Sequence, residues 1–372
     1  MTGLAVLIVG GSGLAGGYIA SALLDSPDTS VVLGARDQGR LERAAAHLSS
    51  KYGTDRVSTR VVDAADSDSL KRAVDGADIV VLAAQAKQYG ETIGRAALDA
   101  GADVVDITLS SDHPPMEELR AQAEASGRCL ITDAGLYPGL PAFLVRLAGS
   151  RLDRLDTAYV GATSSNKEGW PEATVAELVA DIAHPPTFVW RDGAWRRSRM
   201  MGMADRRKFD FGPRWGGRTC SPIFLEEMCD IPKTFPSLQR AGTFISSNGF
   251  VDSVALPLAM VMMRLAPRRG HRPASRLVGW GMRRFARAPF GCVMKVDVSG
   301  QLDGAPAERS VTVSHPSEYQ ATGLVVAAFI DQWTDGPGAP ARTPGLHPMG
   351  MVVEPEQFAR DLAARGLEIT EQ

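Results

Sequence analysis

Residues Val6–Leu24 read VLIVGGSGLAGGYIASALL, an apolar run that enters a glycine-rich turn and continues as an apolar helix-forming stretch. Glycine permits a positive φ, and its missing side chain lets backbone N–H groups approach a pyrophosphate at a helix N-terminus. In this strand–turn–helix context the stretch predicts a dinucleotide-binding site. The glycines fit two spacings, GxGxxG and GxxGxxG. The residues that we expect to hold the cofactor are Gly10, Gly11, Ser12, Gly13, Leu14, Ala15 and Gly16.

Short β-branched runs alternate with helix-period segments through the first third of the chain. Such alternation predicts an α/β fold with a doubly wound parallel sheet of the Rossmann type. The predicted strands are Ala5–Val9, Val31–Ala35, Val57–Val62, Ile79–Ala84, Val104–Thr108 and Cys129–Thr132. The predicted helices are Gly13–Asp25, Gly39–Tyr52, Ser67–Asp75, Thr92–Gly101 and Pro115–Ser126.

A change in aromatic content predicts a second core. Residues 1–142 contain neither Phe nor Trp, and all 12 Phe and 6 Trp lie from Phe143 to Phe358. We therefore expect a dinucleotide-binding domain at 1–135 and an α+β substrate domain at 136–314, inserted before C-terminal helices at 315–372 that return to the first domain. Asp192-Gly193 and the stretch SGQLDG at 299–304 predict hairpins in the second domain.

Composition restricts the environment and the partners of the protein. With 40 basic and 43 acidic residues, the chain has no overall charge to attract nucleic acid. The four cysteines are too far apart for a zinc ribbon or a CxxC pair, so we expect reduced thiols, no metal and a cytoplasmic location. The longest apolar stretch, Val254–Ala266, is too short to span a bilayer, so no transmembrane segment is expected.

Arg36 favours NADP(H) over NAD(H). It follows the second predicted strand, where an NAD site places a carboxylate and where a guanidinium instead pairs with a 2′-phosphate. Asp37 is the alternative at this place, since a carboxylate there would favour NAD. Asp63 is either an adenine contact or a helix cap. We also expect Ala83, Ala84 and Gln85, after the fourth strand, to face the cofactor.

Several segments together resemble the saccharopine dehydrogenase family. The glycine turn is one, and most of the likeness lies in DGADIVVLAA (75–84), YGETIGRAALDAGADVVDIT (89–108) and DAGLYPGLPAFLV (133–145). The helices SEYQATGLVVAAFIDQW (317–333) and HPMGMVVEPEQFARDLAARGLEI (347–369) are also similar to the family's returning helices. Two places depart from its pattern: AQAKQY (84–89) replaces a Gly-Pro-aromatic turn, and Leu109-Ser110 replaces Gly-Glu.

The resemblance implies an NADP-dependent oxidoreductase that transfers hydride to the C=N bond of a small amino-acid- or amine-derived imine. An imine reductase must mainly hold the reacting atoms together, exclude water and supply one proton. Our candidates for the proton donor are Tyr137, Lys87 and His113. Trp170, Trp190, Trp195 and Trp215 are either pocket residues or core residues, and Lys167, Arg191, Arg196, Arg197 and Lys208 are candidates to meet a substrate carboxylate.

The segment from Arg264 to Arg287 is rich in arginine and has no acidic residue. It is either a solvated helix face, an oligomer contact, or a docking surface for an acidic carrier protein or a membrane surface. This segment and the family resemblance leave an enoyl (C=C) reductase acting on a carrier- or lipid-linked substrate as an alternative. A non-catalytic NADP-binding sensor or scaffold is a second alternative. We expect a small-molecule substrate and a homo-oligomer, most simply a dimer.

Overall fold

The computed structural model describes residues 3–83, 89–108, 118–183, 187–198, 205–334 and 342–372. The chain divides into two compact units. The first contains Met1–Phe143, Leu225–Cys229 and Tyr319–Arg365, and the second contains Leu144–Phe224, Asp230–Glu318 and Gly366–Gln372. Each unit is therefore assembled from three separate segments.

The first unit is a seven-stranded sheet with helices. Its strands are β1 (Leu4–Val9), β2 (Thr29–Ala35), β3 (Val57–Val61), β4 (Ile79–Leu82), β5 (Asp103–Asp106), β6 (Cys129–Thr132) and β15 (Gly345–Pro348). Its helices are α1 (Leu14–Leu24), α2 (Gln38–Tyr52), α3 (Ser67–Val74), α4 (Gly90–Asp99), α5 (Arg120–Ser126), α11 (Glu318–Thr334), α12 (Met349–Val352) and α13 (Pro355–Ala364). Helix α6 (Leu140–Gly149) begins in this unit and ends in the second.

The predicted doubly wound sheet is confirmed. The strand order is β15-β6-β5-β4-β1-β2-β3, and all neighbouring strands run parallel. The order reverses at β1, which lies between β2 and β4, and open α/β sheets bind nucleotides at the carboxyl ends of such strands. Strand β15 is absent from the sequence prediction because its residues, GLHP, include no β-branched side chain. Its pairing with β6 determines its conformation.

Helix α1 lies so close to two other segments that two glycines are required. A Cβ at Gly16 would lie 2.3 Å from the carbonyl oxygen of Gly10 in the β1–α1 turn. A Cβ at Gly323, in the buried helix α11, would lie 2.7 Å from the backbone of Tyr18. The late helix α11 therefore packs against the first helix of the chain.

A buried carboxylate, Asp103, joins four parts of the first unit. Its Oδ1 accepts a hydrogen bond of 2.9 Å from the backbone N–H of Cys129 in β6. Its Oδ2 accepts bonds from the indole of Trp333 in α11 and from Arg342, which precedes β15. Because a buried charge is costly unless it is paired, Asp103 makes the position of the C-terminal segment depend on strands β5 and β6.

The second unit is a mixed sheet with a layer of helices. Its strands are β7 (Arg154–Ser165), β8 (Thr187–Arg191), β9 (Ala194–Ser198), β10 (Arg207–Asp210), β11 (Gly217–Ile223), β12 (Arg240–Ser246), β13 (Gly291–Leu302), β14 (Ala305–His315) and β16 (Glu368–Glu371). Its helices are α7 (Glu172–Ala183), α8 (Ile231–Thr234), α9 (Leu256–Leu265) and α10 (Pro267–Arg284), with a π-helical turn at Val251–Ala255 before α9.

The order of this sheet is β10-β11-β12-β7-β13-β14-β16, and β8 pairs with β12 and β9. Strands β7 and β12 run parallel and the other pairs antiparallel. The α+β prediction is therefore confirmed, as is the hairpin at Asp192-Gly193, where both residues have positive φ. The second predicted hairpin is also confirmed, and its turn lies at Asp303-Gly304, where both residues have positive φ. Residues 299–302 continue β13 because they pair with β14.

Helices α7, α9 and α10 share one apolar cluster. It includes Val175 and Val179 of α7, Ala259 and Met263 of α9, and Val278 of α10. In the part of the chain that the structure describes, no helix is both long and apolar enough to cross a lipid bilayer.

We expect Gly16→Ala to destabilise the first unit, by about 1–3 kcal/mol, because the new methyl group would overlap the Gly10 carbonyl. The matched control is Gly17→Ala, one residue later in α1, where an added Cβ meets nothing within 4 Å. Because alanine is the better helix former, this control should be neutral or stabilising, by up to about 1 kcal/mol. Urea unfolding followed by circular dichroism measures both. Equal losses would contradict the packing argument.

Candidate functional site

The β1–α1 turn is fixed by backbone hydrogen bonds. The N–H groups of Gly10 and Gly11 both donate to the carbonyl of Gly34 in β2, at 2.8 and 3.2 Å. Gly10 has a φ of 94°, and its own carbonyl accepts from Gly13 at 2.8 Å. These bonds hold the turn against the neighbouring strand, so the start of α1 has a defined position at the carboxyl end of β1.

The turn leaves a group of backbone donors together. Among the described residues, the N–H groups of Ser12, Leu14, Ala15 and Gly16 have no acceptor, and α1 has no side-chain cap. Donors at a helix N-terminus favour an anion. Because side chains at Gly13 and Gly16 would crowd the Gly10 carbonyl, the turn is also restricted to a bare backbone. Both features fit the pyrophosphate of a dinucleotide.

The structure assigns different roles to Arg36 and Asp37. Arg36 is exposed and comes directly after the last residue of β2. Asp37 is the N-cap of α2, and its Oδ1 accepts from the N–H of Arg40 at 2.9 Å. The carboxylate that would favour NAD is therefore engaged at the helix end, whereas the Arg36 side chain has no ion-pair partner in the described part of the chain. This arrangement favours a 2′-phosphate beside Arg36.

Asp63 follows β3 and does not cap a helix. Its Oδ1 accepts from the N–H of Ala65 at 3.0 Å, whereas the N-cap of α3 is Asp66. The helix-cap interpretation of Asp63 was therefore wrong, and its exposed side chain leaves the adenine contact as a prediction. Ala83 is fixed at the end of β4 by a bond from its N–H to the carbonyl of Val9. Ala84, Gln85, Lys87 and His113 lie outside the described residues.

Tyr137 lies in the loop between β6 and α6, and its hydroxyl oxygen is buried. The same loop contains Asp133, which is buried and has a φ of 52°. Glu227 is fully buried in the first unit and accepts hydrogen bonds from the N–H groups of Gly139, at 2.7 Å, and Ala142, at 3.0 Å. Glu227 therefore caps the N-terminus of α6 and fixes the loop that carries Tyr137.

Burial raises the pKa of the Glu227 carboxyl far above its ordinary value, and the nearby charge of Asp133 raises it further. The two backbone donors oppose this shift only in part. With a pKa raised in this direction, the Glu227 carboxyl is protonated at neutral pH, whereas an exposed glutamate is ionised there. Sequence reasoning missed this residue because LEEM, at 225–228, carries no motif signal.

The second unit contains a cavity of about 460 Å³. It lies at the carboxyl ends of the parallel strands β7 and β12, and α7, α9 and α10 contribute to its walls. The side chains that matter for its chemistry are Trp170, Trp215, Arg218, Phe250, Asp252, Leu256, Met282 and Phe285. The cavity thus combines aromatic and aliphatic walls with one carboxylate, Asp252, and two arginines, Arg218 and Arg287, which is typical of a small-molecule site.

Asp252 gives this cavity a titratable group near neutral pH. Both of its oxygens accept from the N–H of Ser247, at 2.9 and 3.0 Å, which closes the loop after β12. Burial raises the pKa of Asp252 to about 6, and this bond and the charges of Arg206 and Arg218 limit the rise. Asp252 is therefore largely ionised above that pH and neutral below it.

Two of the four predicted pocket tryptophans line the cavity. Trp170 donates its indole N–H to the half-buried Glu318 at 2.9 Å, and desolvation raises the pKa of that carboxyl. Trp215 has an indole N–H without an acceptor among the described residues. Trp190 and Trp195 instead pack edge-to-face on the β8–β9 hairpin and do not line the cavity. The predicted carboxylate-binding set is also absent from its walls, and the arginines that line it are Arg218 and Arg287.

Sequence reasoning missed Arg218 and Asp252. Neither has a neighbouring residue in the sequence that suggests a site, because β11 and the turn before α9 bring them together only in the fold. Within the described residues, no group of three or more His, Cys, Asp or Glu side chains is arranged to hold a metal ion.

The chain resembles a known protein family over its first third and a solved enzyme structure over its whole length. Residues 6–131 match the family model described as the saccharopine dehydrogenase NADP binding domain. The whole chain aligns with apo saccharopine dehydrogenase (L-Glu forming) from Saccharomyces cerevisiae, at 15% identity and a TM-score of 0.69, over 100% of this chain and 99% of that one. The C. glutamicum DAP dehydrogenase in complex with DAP aligns at 15% identity and a TM-score of 0.46, over 98% and 100%.

The matched range contains the glycine turn, Arg36 and the first six strands of the parallel sheet. The likeness to the yeast enzyme is one of fold, and it extends through the second unit. The resemblance that the sequence motifs predict is confirmed, and so is NADP as the cofactor. Residues 6–131 match the NADP-binding domain of the saccharopine dehydrogenase family, and the chain as a whole shares the fold of the yeast enzyme.

Proposed function

We propose that the protein reduces the C=N bond of a small imine formed from an amine or amino acid, with NADPH as the hydride donor. The observation that carries this proposal is the pair of opposite charges, Arg218 and Asp252, at one cavity with aromatic walls. An amino-acid-derived imine has a carboxylate and a basic nitrogen, and these two side chains complement them. The substrate would bind in this cavity.

The first unit supplies the cofactor site. The free N–H groups of Ser12, Leu14, Ala15 and Gly16 would hold the pyrophosphate, and Arg36 would pair with the 2′-phosphate. When bound, the nicotinamide supplies the hydride. The contribution of the chain at this site is to hold and orient the coenzyme, which needs the rigid turn that the bonds to Gly34 provide.

The second requirement is a proton that converts a neutral imine to the iminium, the form that accepts the hydride and that would complement Asp252. We propose Tyr137 as its donor, since its hydroxyl lies in a loop fixed by the side chain of Glu227. Glu227 acts here as a positioning residue: both its oxygens are occupied by backbone donors and it has no contact with solvent. Lys87 and His113 remain predictions as alternative donors.

Reduction of a C=C bond is the second candidate, and one observation favours it. The α9 and α10 side of the cavity is apolar, with Leu256, Met282 and Phe285 beside Phe250. Such a wall suits an acyl chain better than an amino acid. In that case Arg218 would bind a phosphate or carboxylate of the carrier portion. The substrate would then have no cationic group for Asp252 to bind.

The two functions are separated by measuring NADPH oxidation with two substrate panels. One consists of imines formed in situ from amino acids with keto acids or aldehydes, and the other of α,β-unsaturated acyl thioesters. Turnover of the imines alone supports the proposal, and turnover of the thioesters alone overturns it.

We further propose that the enzyme works in the cytoplasm as a homodimer. The four cysteines form no disulfide and three of them are buried, which supports the cytoplasmic location.

We expect Arg36→Ala to weaken NADPH binding about 10- to 100-fold and to leave NADH binding nearly unchanged. The reason is the loss of a charge-assisted contact of about 1.5–3 kcal/mol to a group that only NADPH has. Titration of both coenzymes by intrinsic fluorescence measures the change. Arg72→Ala, an equally exposed arginine in the last turn of α3, serves as the control. Equal weakening of both coenzymes by Arg36→Ala would refute the assignment.

We expect kcat/KM for a cationic imine to rise with pH through about 6, because Asp252 ionises there. Asp252→Asn should flatten this limb, since asparagine keeps an oxygen for the Ser247 N–H but has no charge. The substitution should also remove a slope in stability. Because the pKa of Asp252 is raised in the folded state, the free energy of unfolding falls as the pH rises from about 3.8 to 6.

The control for Asp252→Asn is Asp210→Asn. Asp210 also accepts a backbone N–H, from Gly212 at 3.0 Å, but it does not line the cavity. An unchanged pH limb in Asp252→Asn, or the same loss in the control, would remove Asp252 from the proposed substrate site.

We expect Tyr137→Phe to lower kcat about 10²- to 10⁴-fold, which is the usual contribution of a positioned general acid, and to leave NADPH affinity unchanged. Single-turnover measurements, together with coenzyme titration, test this. The control, Tyr52→Phe, removes a hydroxyl that bonds Asp25 and Ser21 in the first unit and should leave turnover unchanged. A fall in kcat of less than threefold for Tyr137→Phe would exclude the tyrosine as donor.

A further inference from the structure

We propose that the helical hairpin α9–α10 of the second unit is a docking surface for an anionic phospholipid bilayer. The surface consists of an apolar stripe on α9 and the turn before it, and of an arginine face on α10. It does not depend on the substrate or on the reaction proposed above.

The apolar stripe is a row of large aliphatic side chains on the protein surface, which is a common feature of interaction sites. Val254, Leu258, Val261 and Leu265 follow one another at helical spacings of three and four residues, and they are 46%, 46%, 50% and 82% exposed. The buried side of the same helix, Ala255, Ala259 and Met263, packs into the cluster shared with α7 and α10. The hairpin thus has apolar residues both toward its core and on its outer surface, and the outer set has no partner among the described residues.

The arginine face runs along the neighbouring helix. It consists of Arg269, Arg272, Arg276, Arg283 and Arg284, all of them exposed, with Trp280 among them at 47% exposure. No acidic residue occurs from Ser253 to Val296, and none of these arginines forms an ion pair within the described chain. The buried side of α10, which includes Ala274 and Val278, points into the same cluster as that of α9. The outer faces of both helices therefore point away from that cluster.

Together, the apolar stripe and the arginine face fit a lipid surface better than an acidic protein. Helix α10 has 18 residues and is about 27 Å long, and its cations are spread along that whole length rather than gathered at one pocket. A planar anionic surface contacts all of them at once. The adjoining aliphatic stripe has the composition of a helix that lies in the headgroup region, and a partly exposed tryptophan is typical of that interface. An acidic protein would leave the aliphatic stripe without a comparable partner.

The test is co-sedimentation of the full-length protein with vesicles. Phosphatidylcholine vesicles are compared with vesicles that contain phosphatidylglycerol. We expect binding to the anionic vesicles alone. The triple variants Leu258→Ser/Val261→Ser/Leu265→Ser and Arg269→Glu/Arg272→Glu/Arg276→Glu should each weaken it at least tenfold.

Matched controls carry the same kinds of change elsewhere. Val61→Ser removes an exposed valine of β3, which is also 50% exposed, and Arg72→Glu/Arg196→Glu/Arg197→Glu reverses three exposed arginines outside the hairpin. These controls should bind vesicles as the parent protein does. Circular dichroism and NADPH titration of every variant show that it is folded.

Three results would overturn the proposal. The first is an absence of binding to anionic vesicles. The second is binding that the arginine variant loses and the serine variant keeps, which would indicate electrostatic adsorption without use of the stripe. The third is a change from dimer to monomer in the serine variant, measured by sedimentation velocity, which would mean that a second copy of the chain covers the stripe. Because catalytic turnover is not measured, failure here leaves the proposed function untouched.

Discussion

The close contact between Gly16 and the carbonyl of Gly10 is the constraint on which the first unit depends. It brings the start of α1 against the end of β1, and only an absent side chain allows the distance. The bonds from Gly10 and Gly11 to Gly34 then align this turn with β2, so that Arg36 follows at a fixed place. The arrangement of amide donors and guanidinium that suits NADP therefore arises from backbone packing.

Elsewhere in the protein, carboxyl groups shielded from solvent connect segments by hydrogen bonds. Asp103 joins the sheet edge to the C-terminal segment, Glu227 holds the loop of Tyr137, and Glu318 orients Trp170 at the cavity. Each is hydrogen-bonded, as burial of a carboxylate requires. Asp252 differs from these three because it lines a cavity and its pKa of about 6 lies close to the pH of a working enzyme. That difference is the physical reason for assigning it to the substrate.

Local sequence patterns predicted the parallel sheet well because each strand–helix repeat carries its own periodicity. The glycine turn was also identifiable, since its motif lies within a few residues, and Arg36 stays a prediction from the same spacing. Strand β15 and strand β16 were missed, because short segments such as GLHP and EITE become strands only by pairing with β6 and β14. Arg218, Asp252 and Glu227 were missed for a similar reason. Their chemistry depends on burial and on neighbours that lie far away in the chain, which no local pattern records.

The interleaving of the two units affects how the protein can be synthesised. The parallel sheet lacks its edge strand β15 until residue 348 has been made, and the mixed sheet lacks β16 until residue 371. A nascent chain therefore exposes the unpaired edge of β6 and the surface that α11 will cover during most of translation. Neither unit is a continuous stretch of the chain, so neither can be expressed alone by truncating the gene. Removal of the last seven residues alone would delete β16 from the second sheet.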